Sequence, residues 1–337
     1  MSATARTSVS PVGGSFARLT GPLVILSLVA LILLPSIWPS SYVINILILA
    51  FIFGILATGL NLIFGYTGLL SFGQIGFFGL GAYLYALLTM DAGLSPWFAM
   101  LLAGVGAGFV ALLLGYPALR VSRASFVIVT LSFTLLAALL ARNWVEVTRG
   151  PMGIPKLPAP SVDLPGLGEF SGHDPRVFYF IALGMAVVCI GVTYLLVNSP
   201  VGRVLRAVNL NEPLAASQGI SPKKYQIAAF SIAGILSGVA GSLHVAHLGI
   251  VDPSIFDPYY SEMLLIIVII GGPGSLWMVV ISSFVFMVIP ELLRMAPELR
   301  MVLFGFILVL AAMLFPTGVG GYLEDRKVAL WRRSLRS

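Results

Sequence analysis

Stretches of about twenty apolar residues recur along the whole chain, separated by short polar or Gly/Pro-rich breaks. That length matches the reach of a helix across the hydrocarbon core of a bilayer. The pattern predicts about ten spans, near residues 22–38, 42–63, 68–89, 96–116, 125–141, 177–197, 225–246, 260–271, 275–292 and 301–316. The eighth and ninth are short and separated only by 271-GGPGS-275, so they read as tilted or incomplete spans. Arg6 and Arg18 precede the run Leu23–Leu34, as in a signal peptide. No small-x-small cleavage site follows, and the first span reads as an uncleaved anchor.

Composition agrees with that pattern. Hydrophobic residues make up 58% of the chain and charged residues only 9%, against about 25% charged in soluble domains. The mean hydropathy is +1.02. A water-soluble globule is excluded, and the fold class is an all-α polytopic membrane protein. The net charge of +6 reads as an orientation signal and not as a nucleic-acid surface. With the N-terminus inside, most of the 19 Lys and Arg residues fall on the cytoplasmic side, among them Arg18, Arg120, Arg123, Lys223, Lys224 and the run from Arg326 to Arg336. The positive-inside bias therefore puts both termini in the cytoplasm. This divides the chain into a cytoplasmic tail at 1–21, a transmembrane domain at 22–316 and a basic cytoplasmic tail at 317–337. The domain has an outer loop at about 142–176, where Pro and Gly break any regular element, and a cytoplasmic loop at about 198–224.

The spans hold almost no ionisable group. Glu262 and Glu291 fall near span ends, and His244 and His247 close the seventh span. Each His reads either as a ring satisfied within the bundle or as a proton relay. Gradient-driven carriers usually place charge in mid-membrane, so this scarcity argues against one. The lone Cys189 sits in an apolar run, which excludes an intramolecular disulfide, and no zinc-ligand pattern suggests a metal. There is no G-x-x-x-x-G-K-[ST] phosphate loop and no Ser-His-Asp arrangement. The chain therefore reads as neither an enzyme nor a scaffold with a reactive site; it needs no cofactor of its own, and energy for active transport must come from a partner.

Small residues mark packing faces. Gly104-x-x-x-Gly108, Gly234-x-x-x-Gly238 and the run holding Gly73, Gly76, Gly79 and Gly81 let helix backbones approach closely. Asn61 and Gln74 flank the turn 65-GYTG-68. They read either as lining for the path of a polar solute or as interhelical hydrogen-bonding groups.

Within the loop, 202-GRVLRAVNLNEPLAASQGISPKK-224 carries a short helix signature. Asn211 or Glu212 can cap it, Pro213 suits its first turn, and Gly219 is placed to stop it. Glu212 also complements the helix dipole. Between the ends lies Leu-Ala-Ala-Ser-Gln, with little bulk. Arg203 and Arg206, three apart, share a face toward acidic protein or lipid headgroups. The segment reads either as a helix offered to a groove on a partner or as an ordinary connector.

Four stretches together resemble the LivM-type permease subunit of bacterial ABC importers for branched-chain amino acids, over roughly residues 40–320. They are 57-ATGLNLIFGYTGLLSFGQIGFFGLGAYL-84; 125-SFVIVTLSF-133 with 150-GPMGI-154; 202-GRVLRAVNLNEPLAASQGI-220; and 271-GGPGSLWMVV-280 with 290-PELLR-294. Arg149 stands where the family often has Gly, Pro213-Leu214 replaces a small or β-branched pair, and Pro273 replaces Leu or a small residue. The resemblance implies a type II importer bundle of ten helices, with spans two to five and seven to ten related as an inverted pair. It implies a LivH-like sister permease, two cytoplasmic ATP-binding subunits that bind the ATP, and a periplasmic solute-binding protein, in the lipid of the bacterial inner membrane. On that pattern Glu212, Ala215, Ala216 and Gly219 would transmit ATP-driven closure, flanked by Arg203 and Arg206. The binding protein would meet the turns Asp252-Pro253 and Asp257-Pro258 and the 142–176 loop. The implied cargo is a branched-chain amino acid, although relatives also move urea and short amides.

Overall fold

The computed structural model describes residues 16–37, 40–164 and 168–292, together with 306, 310, 313 and 318–322. Most of the expected tenth span at 301–316, the side chain of Glu291, and most of both tails lie outside the described residues. The nine other expected spans each fall on a helix: α1 (Phe16–Ile37), α2 (Ser41–Thr67), α3 (Gly73–Met90), α4 (Pro96–Ala118), α5 (Arg123–Asn143), α7 (Pro175–Asn198), α10 (Pro222–Leu248), α11 (Pro258–Gly271) and α12 (Leu276–Leu292). Among the described residues there are also the shorter helices α6 (Val145–Thr148), α8 (Pro200–Leu210) and α9 (Glu212–Ser217). Among the described residues, α2, α3, α4, α5, α7 and α10 are long and apolar enough to cross a membrane. Helices α11 and α12 are apolar but shorter.

Local chemistry fixes the helix ends. Proline occupies the first turn of α4, α7, α8, α9, α10 and α11, where its missing N–H costs no intrahelical bond. Ser122, Asp174, Ser199, Asn211 and Asp257 accept hydrogen bonds from the first turns of the helices they precede. Gly68 and Gly249 close α2 and α10 in the left-handed region, at φ 72° for both.

Helices α2, α3 and α10 form the centre of the bundle, and α4, α7 and α12 lie around them. The two glycine pairs read from the sequence face each other across α4 and α10. A Cβ on Gly238 would come within 2.6 Å of the Ala107 Cβ and 3.1 Å of the Gly104 Cα, and one on Gly234 within 3.3 Å of the Gly108 Cα. Helix α5 is the least buried of the six long helices, with Leu131, Leu135, Leu136 and Leu139 exposed as a lipid-facing surface requires.

Two expectations need correction. The loop at 142–176 is not devoid of regular structure. It holds α6, a 3-10 turn at Gly150–Met152, strand β1 (Ile154–Pro155) and a hairpin of β2 (Val162–Leu164) with β3 (Gly168–Phe170). Strand β1 pairs antiparallel with β4 (Ile250–Val251), so proline sits in a two-residue edge strand, a position it tolerates. Tyr85 donates to the Pro158 carbonyl at 2.6 Å and the Trp97 indole to the Ser161 carbonyl at 2.8 Å, fastening the loop over this end of the bundle. The third span, expected from residue 68, begins instead at Gly73. Gly68 ends α2, and residues 69–72 run non-helically back into the bundle before α3 starts.

Candidate functional site

Non-helical backbone inside a membrane must have its polar groups satisfied by protein. Here α5 does it. The Phe72 N–H donates to Thr130 Oγ1 at 3.2 Å, and Thr134 Oγ1 donates to the Phe72 carbonyl at 2.9 Å. The Gly73 N–H donates to Ser71 Oγ at 3.1 Å. Both threonines lie midway along α5, so α3 begins deep in the bundle and not at its edge. Gly76 lets this first turn approach Phe133 and Thr134, while Gly79 lies against the Phe256 ring and Gly81 against the backbone of Gly238. Gly73 meets Ser71, Thr130 and Phe77 at ordinary contact distance.

Gln74 and Asn61 are both buried in this region, but they are used separately. Ser237 Oγ, midway along α10, donates to Gln74 Oε1 at 2.5 Å. Asn61 Oδ1 accepts from the Gly274 N–H at 2.9 Å, in the turn between α11 and α12. Gln74 has spent its oxygen on a bond to α10 and Asn61 on the turn after α11, and neither nitrogen, Asn61 Nδ2 or Gln74 Nε2, has a partner. Gln74 borders a shallow depression with Ser71, Phe72, Ile75, Leu60 and residues of α11. Asn61 does not border it.

The end of the bundle near Gly274 also carries α8 and α9. Asn209 Nδ2 donates to the Gly65 carbonyl at 3.0 Å, and the Arg206 guanidinium lies 5.3 Å from the centre of the Tyr66 ring. Glu212 pairs with Arg123 at 3.5 Å, both side chains partly exposed. Asn211 Oδ1 accepts from the Leu214 N–H at 3.0 Å, so Asn211 is the cap and Glu212 is the first helical residue. Gly219 lies just past the helix at φ 80°. Thus Arg206 and Glu212 both engage the bundle, while Arg203, Ala216 and Gly219 are exposed. Ala215 is 5% exposed and faces inward, so its small size serves the packing of α9 against the bundle.

Two leucines, of which the sequence reading marked only Leu214 and that as a departure from the family pattern, dominate the outer surface of this element. Leu210 is 87% exposed and Leu214 59% exposed. Their spacing of four, flanked by Asn and Glu, was the available signal. The expectation of a helix with little bulk passed over Leu210 and gave Leu214 no part in docking.

His244 is buried in a ring of Phe53, Phe78 and Tyr260, and its Nδ1 has no hydrogen-bond partner. His247 lies against Phe178. Glu262 is exposed on α11. Among the described residues no three His, Cys, Asp or Glu side chains gather as a metal site.

Known proteins resemble this arrangement of sequence closely. The family described as branched-chain amino acid transport system / permease component matches residues 42–312. The high-affinity branched-chain amino acid transport system permease protein LivM of Escherichia coli (strain K12) is 35% identical over 315 residues, covering 87% of this chain and 74% of its own length. LivM of Salmonella typhimurium matches at the same identity and coverage. The permease protein LivH of E. coli is 24% identical over 297 residues, covering 82% of this chain and 93% of its own. No solved structure shows a significant match. A multi-pass apolar helical bundle with this family match over most of its length is a membrane permease: the chain belongs to the family of permease components of branched-chain amino acid transport systems.

Proposed function

We propose that this chain is one of two permease subunits of a binding-protein-dependent ABC importer that moves branched-chain amino acids across the bacterial inner membrane. Two ATPase subunits bind ATP and act on the α8–α9 element. The observation that carries this reading is that element: two exposed leucines outside, and Asn209, Arg206 and Glu212 fastened to α2 and α5 inside. A short helix with a bulky apolar surface fits a groove on a partner, and its inner bonds give force a route into the bundle. The names of the relatives support the cargo.

In this reading the bundle has ten spans and both termini are cytoplasmic. Arg120, Arg123, Arg203, Lys223 and Lys224 then share the cytoplasmic side. The paired strands β1 and β4, with Asp252 and Asp257 beside them, form the periplasmic face that receives the binding protein. The chain hydrolyses nothing itself. It alternates access between this bundle and its sister, along a path bordered by uncharged groups such as Gln74.

The test is uptake by proteoliposomes carrying this chain, its sister permease, the ATPases and the binding protein, with leucine, valine and urea presented separately. Leucine or valine uptake that needs both ATP and binding protein is expected. Uptake of urea alone would replace the cargo. Uptake by this chain alone without ATP would overturn the partner-driven mechanism.

A further inference from the structure

One row of side chains on α4 stays exposed along the whole helix: Phe98, Leu101, Val105, Phe109, Leu112 and Tyr116 follow one another at helical spacing. Trp97 and Tyr116, both exposed, stand at its two ends, about 29 Å apart along the axis. That is the thickness of the hydrocarbon core, and Trp and Tyr gather at its two surfaces. Tyr116 therefore marks one membrane surface, and Arg120, one turn further on, stands just outside it.

Arg120 is held at that level. Its guanidinium lies 4.3 Å from the centre of the Tyr116 ring and donates to Tyr116 Oη, which leaves most of its N–H groups to give. Two more cations come from α10. Gly115 of α4 packs on the Phe230 ring, and Gly108 on Ile235 and the Ser231 carbonyl, so the two helices run antiparallel. From the contact of Gly115 with Phe230, α4 runs about 8 Å to Arg120 and α10 about 10 Å back to Lys223 and Lys224, both exposed. Among the described side chains Glu212 is the only carboxylate at this end of the bundle, and Arg123 holds it. Neither ion pair among the described residues involves Arg120, Lys223 or Lys224. Three cations without a carboxylate thus border an apolar stripe that faces the membrane. A soluble protein could meet the cations but not Leu112 and Phe109, which lie within the bilayer. The ligand that meets both is a lipid with a phosphate headgroup.

We propose that Arg120, Lys223 and Lys224, with the Tyr116 ring, form a site for the headgroup phosphate of an anionic phospholipid, whose acyl chains lie along the exposed stripe of α4. That the lipid belongs to the cytoplasmic leaflet rests on the orientation given above; the site itself does not.

The test uses the assembled transporter in nanodiscs of phosphatidylcholine, with a trace of phosphatidylglycerol that carries a photoreactive diazirine near the top of one acyl chain. Crosslinks are mapped by mass spectrometry. Labelling is expected on residues 109–120, and unlabelled phosphatidylglycerol should compete for it while added phosphatidylcholine does not. Arg120→Gln/Lys223→Gln/Lys224→Gln should reduce labelling there about tenfold or more, since each cation near the surface adds its own share of attraction. Arg203→Gln, at the same end on α8, should leave it unchanged. Should the triple variant fail to assemble, Lys223→Gln/Lys224→Gln keeps the contact of Arg120 with Tyr116 and should still reduce labelling several-fold. Equal competition by phosphatidylcholine, or full labelling in both variants, would overturn the site. Competition by glycerol 3-phosphate as strong as that by phosphatidylglycerol would make the ligand a soluble anion and overturn the lipid. Labelling that appears only after the ATPases are stripped away would give the cations to that interface and overturn it too. Labelling is read without ATP, so a failure of uptake leaves the result untouched.

Discussion

Asn209 donates its side-chain amide to the Gly65 carbonyl at 3.0 Å, joining α8 to the end of α2 across 144 residues of sequence. Gly65 has no room for a side chain, because a Cβ there would strike Asn61 Oδ1 and the Gly274 N–H. One backbone position thus touches α8, α2 and the turn between α11 and α12. Replacing Asn209 with Ala should lower stability by about 1 kcal/mol and reduce leucine transported per ATP hydrolysed. An unchanged ratio of uptake to hydrolysis would show that this bond carries no force between α8 and α2.

Leu210 and Leu214 are placed to bind a partner and not to hold the fold. The double change Leu210→Ser/Leu214→Ser should leave thermal unfolding of the isolated chain within about 0.5 kcal/mol. Co-purification of the ATPase subunits should fall sharply. Ala216→Arg, on the same exposed surface, should also uncouple hydrolysis from uptake. Retention of the ATPases by all three substitutions together would move the docking surface elsewhere.

Glycine substitutions should separate close approach from open space. A Cβ on Gly81 meets the backbone of Gly238, whereas one on Gly184 meets nothing within 4 Å. Gly81→Ala should cost about 1–3 kcal/mol through overpacking. Gly184→Ala should be neutral or slightly stabilising. Thermal unfolding in one detergent reads both, and equal midpoints would contradict the contact at Gly81.

Arg149 adopts φ 62°, in the left-handed region that costs a non-glycine residue about 1 kcal/mol or more. Its guanidinium also pairs with Asp91 at 3.4 Å, both groups well exposed, an interaction of less than about 1 kcal/mol. Arg149→Gly relieves the first, loses the second and frees the unfolded chain. Stability should change by less than about 1 kcal/mol. A drop of more than about 2 kcal/mol would give Arg149 a structural role beyond that ion pair.

Much of this architecture was legible in the sequence because lipid makes hydrophobicity nearly sufficient to locate a helix. The facing pairs Gly104/Gly108 and Gly234/Gly238 were visible as motifs, although their mutual packing was not, since small-residue spacing does not name a partner. A cap at Asn211 or Glu212 and the stop at Gly219 were readable from local chemistry, and the structure picks Asn211 as the cap. The late start of α3 was hidden. Residues 69–72 are as apolar as a span, and only the threonines of α5, some sixty residues away, show that their backbone is satisfied without a helix. The exposure of Leu210 and Leu214 was hidden for the opposite reason: leucine is unremarkable in such a chain until the fold leaves it in the open. Asn61 and Gln74 were chosen for polarity, yet only the structure separates one that closes a turn from one that borders a depression.

The two threonine bonds give α5 an attachment unlike that of its neighbours. Helix α4 is held by the shape of facing glycine surfaces, which fit equally well wet or dry. Helix α5 is the least buried of the six long helices; besides the packed rings of Phe126 and Phe133 it is held by the hydrogen bonds that Thr130 accepts and Thr134 donates, whose net strength falls wherever water competes for the same atoms. Part of its grip is therefore a function of local dryness: water admitted beside Phe72 would weaken those two bonds.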